Sequence, residues 1–490
     1  MTKGHLVAGE RWKGIVDWTL DRFAVKPIEK SLMDRRVAKG AWYYGDGATL
    51  FLLFNVLLIT GVFLTLSYSP SLEGAYPSVR YITEHQMLGW FVRGLHYWSA
   101  GLMVVMLFFH LFRQILVGGY KSPREGTWLI GVLLFFAMIT TSLLGYVLRW
   151  DERAIYGLRV ALNIFHRVPL IGEWLVLIVQ GGPHIGSQTL TRVYAVHIMF
   201  IPLLVLGLIG YHMYLVVVHG ITGPTERTRP VATAEEQRRL YKEDAMSDER
   251  GETFFPSTAV KSGAMAAVVM AVVVLLTLVL GPGRLYPEAN LVERSFPAEE
   301  WWWSWFSTLA AIVPPWLAST VYVGLPILLF VVLVSLPFLD RSPRRGMANR
   351  PVAIVVVMVC VVVLLSLSSA RVQPTRSPWV AWPSEEPPPV PDGVVLSPQA
   401  EEGRQLFAQF GCNSCHPIDD RGAPFARDLA AMRRIVSHDY FRRYILNPPE
   451  GIAMPPYEGR LTEEELERII DFVMHIQITR HREGPWRWQQ

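Results

Sequence analysis

The chain has 490 residues, 51% of them hydrophobic, with 17 Trp and a mean hydropathy of +0.27. That composition excludes a single soluble domain and leaves room for a bundle of membrane helices carrying an appendage. A net charge of only +4 is a sum over two membrane faces and gives no support to nucleic-acid binding.

Residues 1–47 carry Lys3, Arg11, Lys13, Arg22, Lys26, Lys30, Arg35, Arg36 and Lys39 without a cleavable signal pattern, which predicts a cytoplasmic arm. Apolar stretches of spanning length follow at about Thr49–Tyr68, Gly89–Val117, Gly126–Leu148, Thr191–Val218, Val260–Leu280, Trp316–Leu336 and Val352–Ser369. Nothing alternates like barrel strands, so helices are the spanning option and the expected fold is all-α. The spans divide into a four-helix bundle over 48–225 and a three-helix region over 259–370, joined by a cytoplasmic loop over 226–258. Lys121 and Arg124, the run from Arg227 to Arg250, and Arg341, Arg344 and Arg345 fall in alternate loops, which places those loops on the cytoplasmic side.

Histidine spacing carries the chemistry of the bundle. In the second span His96 and His110 stand 14 residues apart, about 21 Å of helical rise and close to whole turns. In the fourth span His197 and His212 stand 15 apart, about 22 Å with a modest rotation. Both spans cross in the same direction, so His96 can meet His197 near the outer surface while His110 meets His212 near the inner one. Two stacked bis-imidazole b-haem sites result. Gly47 and Gly61 in the first span and Gly131 and Gly145 in the third repeat the 14-residue spacing, giving a porphyrin edge access to backbone; small residues at such spacing also pack helices. Single intramembrane histidines are usually helix contacts, but four in matched pairs beside matched glycines argue for ligands. His85, His166 and His184 read as loop residues, and His219 as either near a quinone or merely interfacial.

Residues 371–397, rich in Pro, Ser and Glu, read as an extended linker, 398–480 as a compact domain of the size that uses a cofactor as its core, and 481–490 as a tail. Within that domain Cys412-Asn413-Ser414-Cys415-His416 is a c-type haem box, in which two thioethers fix the vinyl groups and the imidazole becomes the axial ligand. Met454, in Ala453-Met454-Pro455-Pro456-Tyr457, is the natural opposite ligand, with Met432 and Met474 as competitors; Met474 falls on an apolar helix face. The odd number of spans delivers this domain to the outer side of a bacterial cytoplasmic membrane, where such haem is attached. The remaining cysteine, Cys360, reads as inert packing, so any iron–sulfur centre must come from a partner.

Residues from about 40 to 225 resemble the cytochrome b of bc-type complexes, particularly the b6f variety. The matching text is Phe91-Val92-Arg93-Gly94-Leu95-His96, His110-Leu111-Phe112-Arg113, Lys121-Ser122-Pro123-Arg124-Glu125, Gly145-Tyr146-Val147-Leu148, Gln188-Thr189-Leu190-Thr191-Arg192 and Gly223-Pro224. Residues from about 255 to 345 resemble the three-helix partner subunit more weakly, and the tail resembles a class I cytochrome c. The resemblance implies a quinol:cytochrome c oxidoreductase holding two b haems and one c haem. It further implies a Rieske iron–sulfur partner, membrane quinones, a cytochrome c acceptor, proton translocation and a homodimeric complex in the lipid bilayer.

The family's outer quinol motif, Pro-Glu-Trp-Tyr, aligns with Glu299-Glu300-Trp301-Trp302, so the resemblance gives Glu300 the proton-accepting position and sets Tyr146 beside it. Its Leu-Pro-Trp landmark aligns with Leu148-Arg149-Trp150. Arg149 thus stands at a family proline, where an ion pair to the glutamate would change when that carboxylate accepts a proton. The b6f complex ties an extra haem to a cysteine; here Gly45 occupies that position, and no covalent link can form. Arg93, Arg113 and Arg192 are expected either to meet haem propionates or to snorkel at the interface. Two rival readings stay open: a non-bifurcating conduit between the quinone pool and an external redox protein, and a haem-bearing assembly or sensor subunit.

Overall fold

A computed structural model describes residues 35–39, 42–182, 185–221, 233–289, 300–314, 317, 320–342, 344–370 and 387–390. In the C-terminal domain it describes 393–418, 426, 428–430, 432, 436–448, 454 and 456–483. The arm before Arg35, His184, Gly223, Pro224, Arg227, Glu299, Trp316 and most of the linker lie outside the described residues.

Among the described residues seven helices are long and apolar enough to cross a membrane: Asp46–Thr65, Gly89–Val117, Glu125–Val147, Ser187–His219, Phe254–Leu280, Thr320–Leu339 and Pro351–Ala370. They fall where the apolar runs predict, within a few residues at each end. The first span packs on the second and the third on the fourth. The fifth lies against the first two, the sixth against the third, and the seventh against the second and a short helix at Ser304–Ile312. A shared core draws Leu53 and Phe54, Met103, Met106 and Leu107, Phe135 and Met138, Val205, and Val273 from the first five spans. The outward faces stay apolar, with Leu203, Leu204, Val331, Val356 and Val359 exposed, a surface that suits hydrocarbon and would aggregate in water.

The connecting segments sort onto two faces. On one, the antiparallel pair β1 (Arg36–Ala38) and β2 (Gly251–Thr253) ties the N-terminal arm to the loop before the fifth span. On the same face Lys121 Nζ donates to Asp340 Oδ1 at 2.8 Å, and Arg124 donates to the carbonyls of Gly220 and Ile221. Among the described residues this strand pair and an isolated bridge between Asp151 and Glu288 are the departures from an all-helical expectation. On the opposite face Tyr68 donates to the Leu148 carbonyl, and short helices at Ala75–Glu84, Glu152–His166 and Gly172–Gln180 fill the loops. His166 closes the second of these helices and His85 caps the first, so neither is a plain loop residue. Cys360, expected to be packed, is exposed on the seventh span, because that helix buries little of its circumference.

The C-terminal domain has its own core, in which Phe407 and Phe472 meet edge to face at 5.5 Å. Helices Pro398–Gln409 and Glu463–Glu483 cross at Gly403, where a Cβ would sit 1.8 Å from the Arg468 carbonyl oxygen. Only glycine permits that approach. Ser397 and Ser437 cap the helices they precede, accepting from the amides of Ala400 and Tyr440.

Candidate functional site

Each of the four intramembrane histidines meets one of the four spaced glycines. A Cβ at Gly61 would lie 3.4 Å from His96 Cε1, and one at Gly145 2.6 Å from His197 Cε1. At the other level the distances are 3.8 Å from Gly47 to His110 and 3.3 Å from Gly131 to His212. The sequence spacing thus becomes two layers, each built from one histidine and one glycine of each helix pair. In the first of these layers the His96 and His197 rings have their centroids 6.4 Å apart, with their planes 75° from one another. A metal held coaxially between two imidazoles at bonds of about 2.0–2.1 Å requires nearly that separation. In the inner layer His212 lies within electrostatic reach of His110.

The fourth span reaches this phase by a local irregularity. Fourteen residues of α-helix end about 40° short of four turns and fifteen end about 60° past, so an unbroken helix would rotate His212 off the layer. Val196–Phe200, which contains His197, forms a π-helical turn, and the amide of Ile201 donates to the carbonyl of Val196, five residues back. One extra residue is absorbed, and the 15-residue interval recovers the phase of 14. Pro202 supplies the cause, since it lacks the next amide donor and its ring crowds the preceding turn.

The second ring nitrogens select the tautomer. Thr60 donates its hydroxyl to the Val56 carbonyl at 2.6 Å, so its oxygen is left to accept from His96 Nδ1 at 2.9 Å. His197 Nδ1 donates to the Thr141 carbonyl at 3.1 Å. Both arrangements leave Nε2 unprotonated and free to bind a metal. His110 Nδ1 lies 3.1 Å from Asp46 Oδ2, and Asp46 in turn takes a two-pronged pair from Arg113. Sequence reasoning did not single out Asp46, although a carboxylate at the start of an apolar span is itself an unusual sign.

A second polar cluster lies on the face nearer His96. Glu300 is only 2% exposed; its Oε1 accepts from Arg149 Nη1 at 2.5 Å, and Arg153 Nη1 lies 3.3 Å away. Its Oε2 accepts from the Tyr97 hydroxyl at 2.9 Å. The ion pair expected between Arg149 and the glutamate is therefore present. Arg149 also donates from Nη2 to fully buried Asp151 at 2.5 Å. Burial opposes the Arg149 charge, but Asp151 and Glu300 outweigh it and hold the guanidinium above its ordinary range. Asp151 further caps the next helix through the Ala154 amide and accepts from the Tyr286 amide. Trp150, buried and held at φ 52°, makes the turn that aims Arg149 inward.

Tyr146 joins this cluster differently from the expectation. Its ring lies under the Arg149 guanidinium at 5.2 Å, while its hydroxyl donates to the Arg153 carbonyl at 2.7 Å. Tyr97 and Arg153 take the places next to the carboxylate, with Asp151 on the far side of Arg149, and nothing in their local sequence marks them. Trp301 and Trp302 pack against Gly101, and their buried indole nitrogens make no hydrogen bond. Of the arginines expected near haem propionates, Arg93 donates to the Gly283 carbonyl at 2.7 Å, Arg113 pairs with Asp46, and Arg192 donates to the Ile178 carbonyl.

In the tail, Gly411, in the left-handed region at φ 72°, starts the short helical turn Cys412–Ser414. The amides of Cys415 and His416 both donate to the Cys412 carbonyl, at 3.1 and 2.9 Å, which brings the box together. Burial pushes the Cys412 thiol up to about 12. Met454, Met432 and Met474 all border the same core, and Gln477 Nε2 donates to the Met432 sulfur at 3.0 Å.

Residues 32–221 match the family model described as cytochrome b/b6/petB, and residues 296–384 that of cytochrome b(C-terminal)/b6/petD. The cytochrome b subunit of the menaquinol:cytochrome c reductase of Bacillus subtilis is 36% identical over 219 residues, 43% of this chain and 98% of that protein. The chain belongs to the cytochrome b/b6 family. Cytochrome b6 of Porphyra purpurea is 34% identical over 211 residues, again 43% of this chain and 98% of the relative. Residues 398–473 match the model described as cytochrome C oxidase, cbb3-type, subunit III. A solved structure titled "Hyperthermophilic respiratory Complex III" superposes with a TM-score of 0.63 at 26% identity, over 74% of this chain and 93% of its own.

The resemblance read from the sequence is thus borne out in all three segments, and haem is the cofactor of both the membrane part and the tail. The cytochrome b fold here also explains the absent cysteine at its inner end. A Cβ on Gly45 would sit 2.9 Å from the Ser262 Cα, so the fifth span occupies the space a side chain would need.

Proposed function

We propose that this chain is the membrane core of a quinol:cytochrome c oxidoreductase, with one b haem between His96 and His197, a second between His110 and His212, and a c haem on Cys412, Cys415 and His416 opposite Met454. Quinol is oxidised at the outer face, protons leave on that side, and a Rieske iron–sulfur partner takes one of the two electrons. Bound at the three sites, the haems would supply one-electron carriers at two depths of the membrane and on the outer tail. The complex is a homodimer, with the N-terminal arm and the β1–β2 loop cytoplasmic and the tail outside. The observation that carries this reading is the pairing of four histidines with four glycines in two layers.

The chain's own residues set the terms at the outer site. Trp301 and Trp302 wall the cluster with apolar surface, so a quinol headgroup would find buried indole donors and little water there. Glu300 has one oxygen on Arg149 and the other on Tyr97, so a quinol proton would either take the lone pair left on the Tyr97-bonded oxygen or displace one of these partners. Arg93 and Arg113 sit at the levels of the outer and inner histidines, where they can neutralise haem carboxylates.

That occupied carboxylate favours one alternative, a conduit that passes electrons in series without dividing them. Stopped-flow reduction of the purified native complex by quinol, with and without an inhibitor of the inner quinone site, separates the two. Inhibitor-enhanced b-haem reduction that needs the Rieske partner supports divided electron flow. Serial reduction of b and c haems, indifferent to a Rieske protein, supports the conduit and overturns the main proposal.

A further inference from the structure

We infer that Asp46 is a positioning residue of the inner haem, lowering its reduction potential through His110. The inference rests on the reading that His110 and His212 hold a b haem, and the relevant geometry lies in the chain itself. Asp46 is fully buried at the start of the first span, next to Gly47. Arg113 grips both its oxygens, Nε to Oδ2 at 2.6 Å and Nη2 to Oδ1 at 2.7 Å, and the Gly47 amide donates to Oδ1 at 2.7 Å. Three donors therefore fix the carboxylate while Oδ2 stands 3.1 Å from His110 Nδ1, the ring nitrogen turned away from an iron on Nε2.

None of the other three histidines has such a neighbour among the described residues. His96 is met by the Thr60 hydroxyl, His197 by the Thr141 carbonyl and His212 by the Thr127 backbone, all of them neutral. A carboxylate behind an imidazole raises its basicity as a ligand, and a basic ligand favours the oxidised metal. Arg113 keeps the carboxylate ionised and stationary and moderates its field. The two layers, alike in histidines and glycines, thus differ in the carboxylate that one of them sets behind a histidine.

The test is an optical redox titration of the b haems in the purified complex, with the low-spin ferric electron paramagnetic resonance signals recorded in parallel. Asp46→Asn should keep two b haems and shift one of them about tenfold toward the reduced form, about 59 mV for a one-electron couple, leaving the other unchanged. Only the signal of the shifted haem should change shape. Unchanged midpoints, or an equal shift of both haems, would overturn the inference. If Asp46→Asn loses a haem, Asp46→Glu and Asp46→Gln are compared, being equal in size and different in charge. A lower midpoint in the Glu variant supports the assignment; equal midpoints, or haem loss in every variant, reduce Asp46 to a structural role. A native chain with fewer than two b haems would instead sink the four-histidine reading, a result the haem count gives before any variant is made.

Discussion

Gly145→Ala should remove the outer b haem, while Gly47→Ala should leave both haems in place. The Cβ introduced at 145 would stand 2.6 Å from His197 Cε1 and 3.0 Å from Nε2, whereas ordinary contacts begin near 3.4 Å. The ring must retreat by about 0.8 Å. A terminal ring can often swing aside cheaply, but this one is tethered through Nδ1 to the Thr141 carbonyl, and metal–ligand distances tolerate only about 0.2 Å. Ligation and helix packing cannot both be kept. Overpacking of this kind costs about 1–3 kcal/mol, which weakens haem retention about 5- to 150-fold. At Gly47 the nearest atom is 3.8 Å away, so an alanine methyl fits, and Gly61 and Gly131, at 3.4 and 3.3 Å, should fall between. The pyridine haemochrome assay on purified protein gives b haem per chain, and reduced-minus-oxidised spectra show which band is lost. Equal loss in Gly47→Ala and Gly145→Ala would refute the argument, since it would mean that the glycines serve the porphyrin or general packing instead of ligand approach.

Removing Arg149 as Arg149→Met leaves Glu300 and Asp151 buried without their shared cation, and should lower stability by about 3–5 kcal/mol, seen as a depressed unfolding temperature. Glu300→Gln keeps the packing and should reduce quinol turnover with a much smaller thermal effect; a variant with full turnover would remove Glu300 from the reaction. On the other face Lys121, Tyr120 and Ser342 hold Asp340 well below the usual carboxylate range despite its burial. Its folded-state value is depressed, so its contribution is present above the unfolded value of about 3.9 and fades only as pH falls through the lower folded one. Asp340→Asn should therefore destabilise the protein at neutral pH and flatten the acid limb of its stability profile; an unchanged acid limb contradicts this. In the tail, Met454→Leu should abolish the sulfur-to-iron charge-transfer absorbance of the oxidised c haem, and Met432→Leu should not, because Gln477 already engages the Met432 sulfur.

The sequence made the layers legible because helical phase is periodic. Residues 14 apart on an apolar run must share a face, and the glycine pairs repeat that interval on the neighbouring helices. It could not reveal the π turn at Val196–Phe200, since a hydrophobic period of 3.6 looks the same with or without one absorbed residue. Pro202 marks the place, but a proline in a span is as often a kink. The outer cluster was legible in part. Arg149 and Glu300 stand 151 residues apart, and only the family text placed them together. Tyr97, Asp151 and Arg153 were missed because their role comes from a loop crossing, where no periodicity operates.

The residue at 149 and its surroundings form one linked change. An arginine where the family pattern has proline gains an amide donor and a long cation beside Glu300. Such a cation cannot stay buried unpaired, and here it has two acceptors, Asp151 at 2.5 Å and Glu300 at 2.5 Å. Asp151 is also the cap of the helix Glu152–His166, so the turn, the helix start and the carboxylate all depend on the same guanidinium. Replacing Arg149 by proline alone would therefore not restore the family's geometry, because it would take the guanidinium from two buried carboxylates and leave only Arg153 beside Glu300. If Glu300 takes the proton of a bound quinol, as proposed, it must do so while held by a permanent cation, and its readiness to accept that proton is set by its pairing with Arg149.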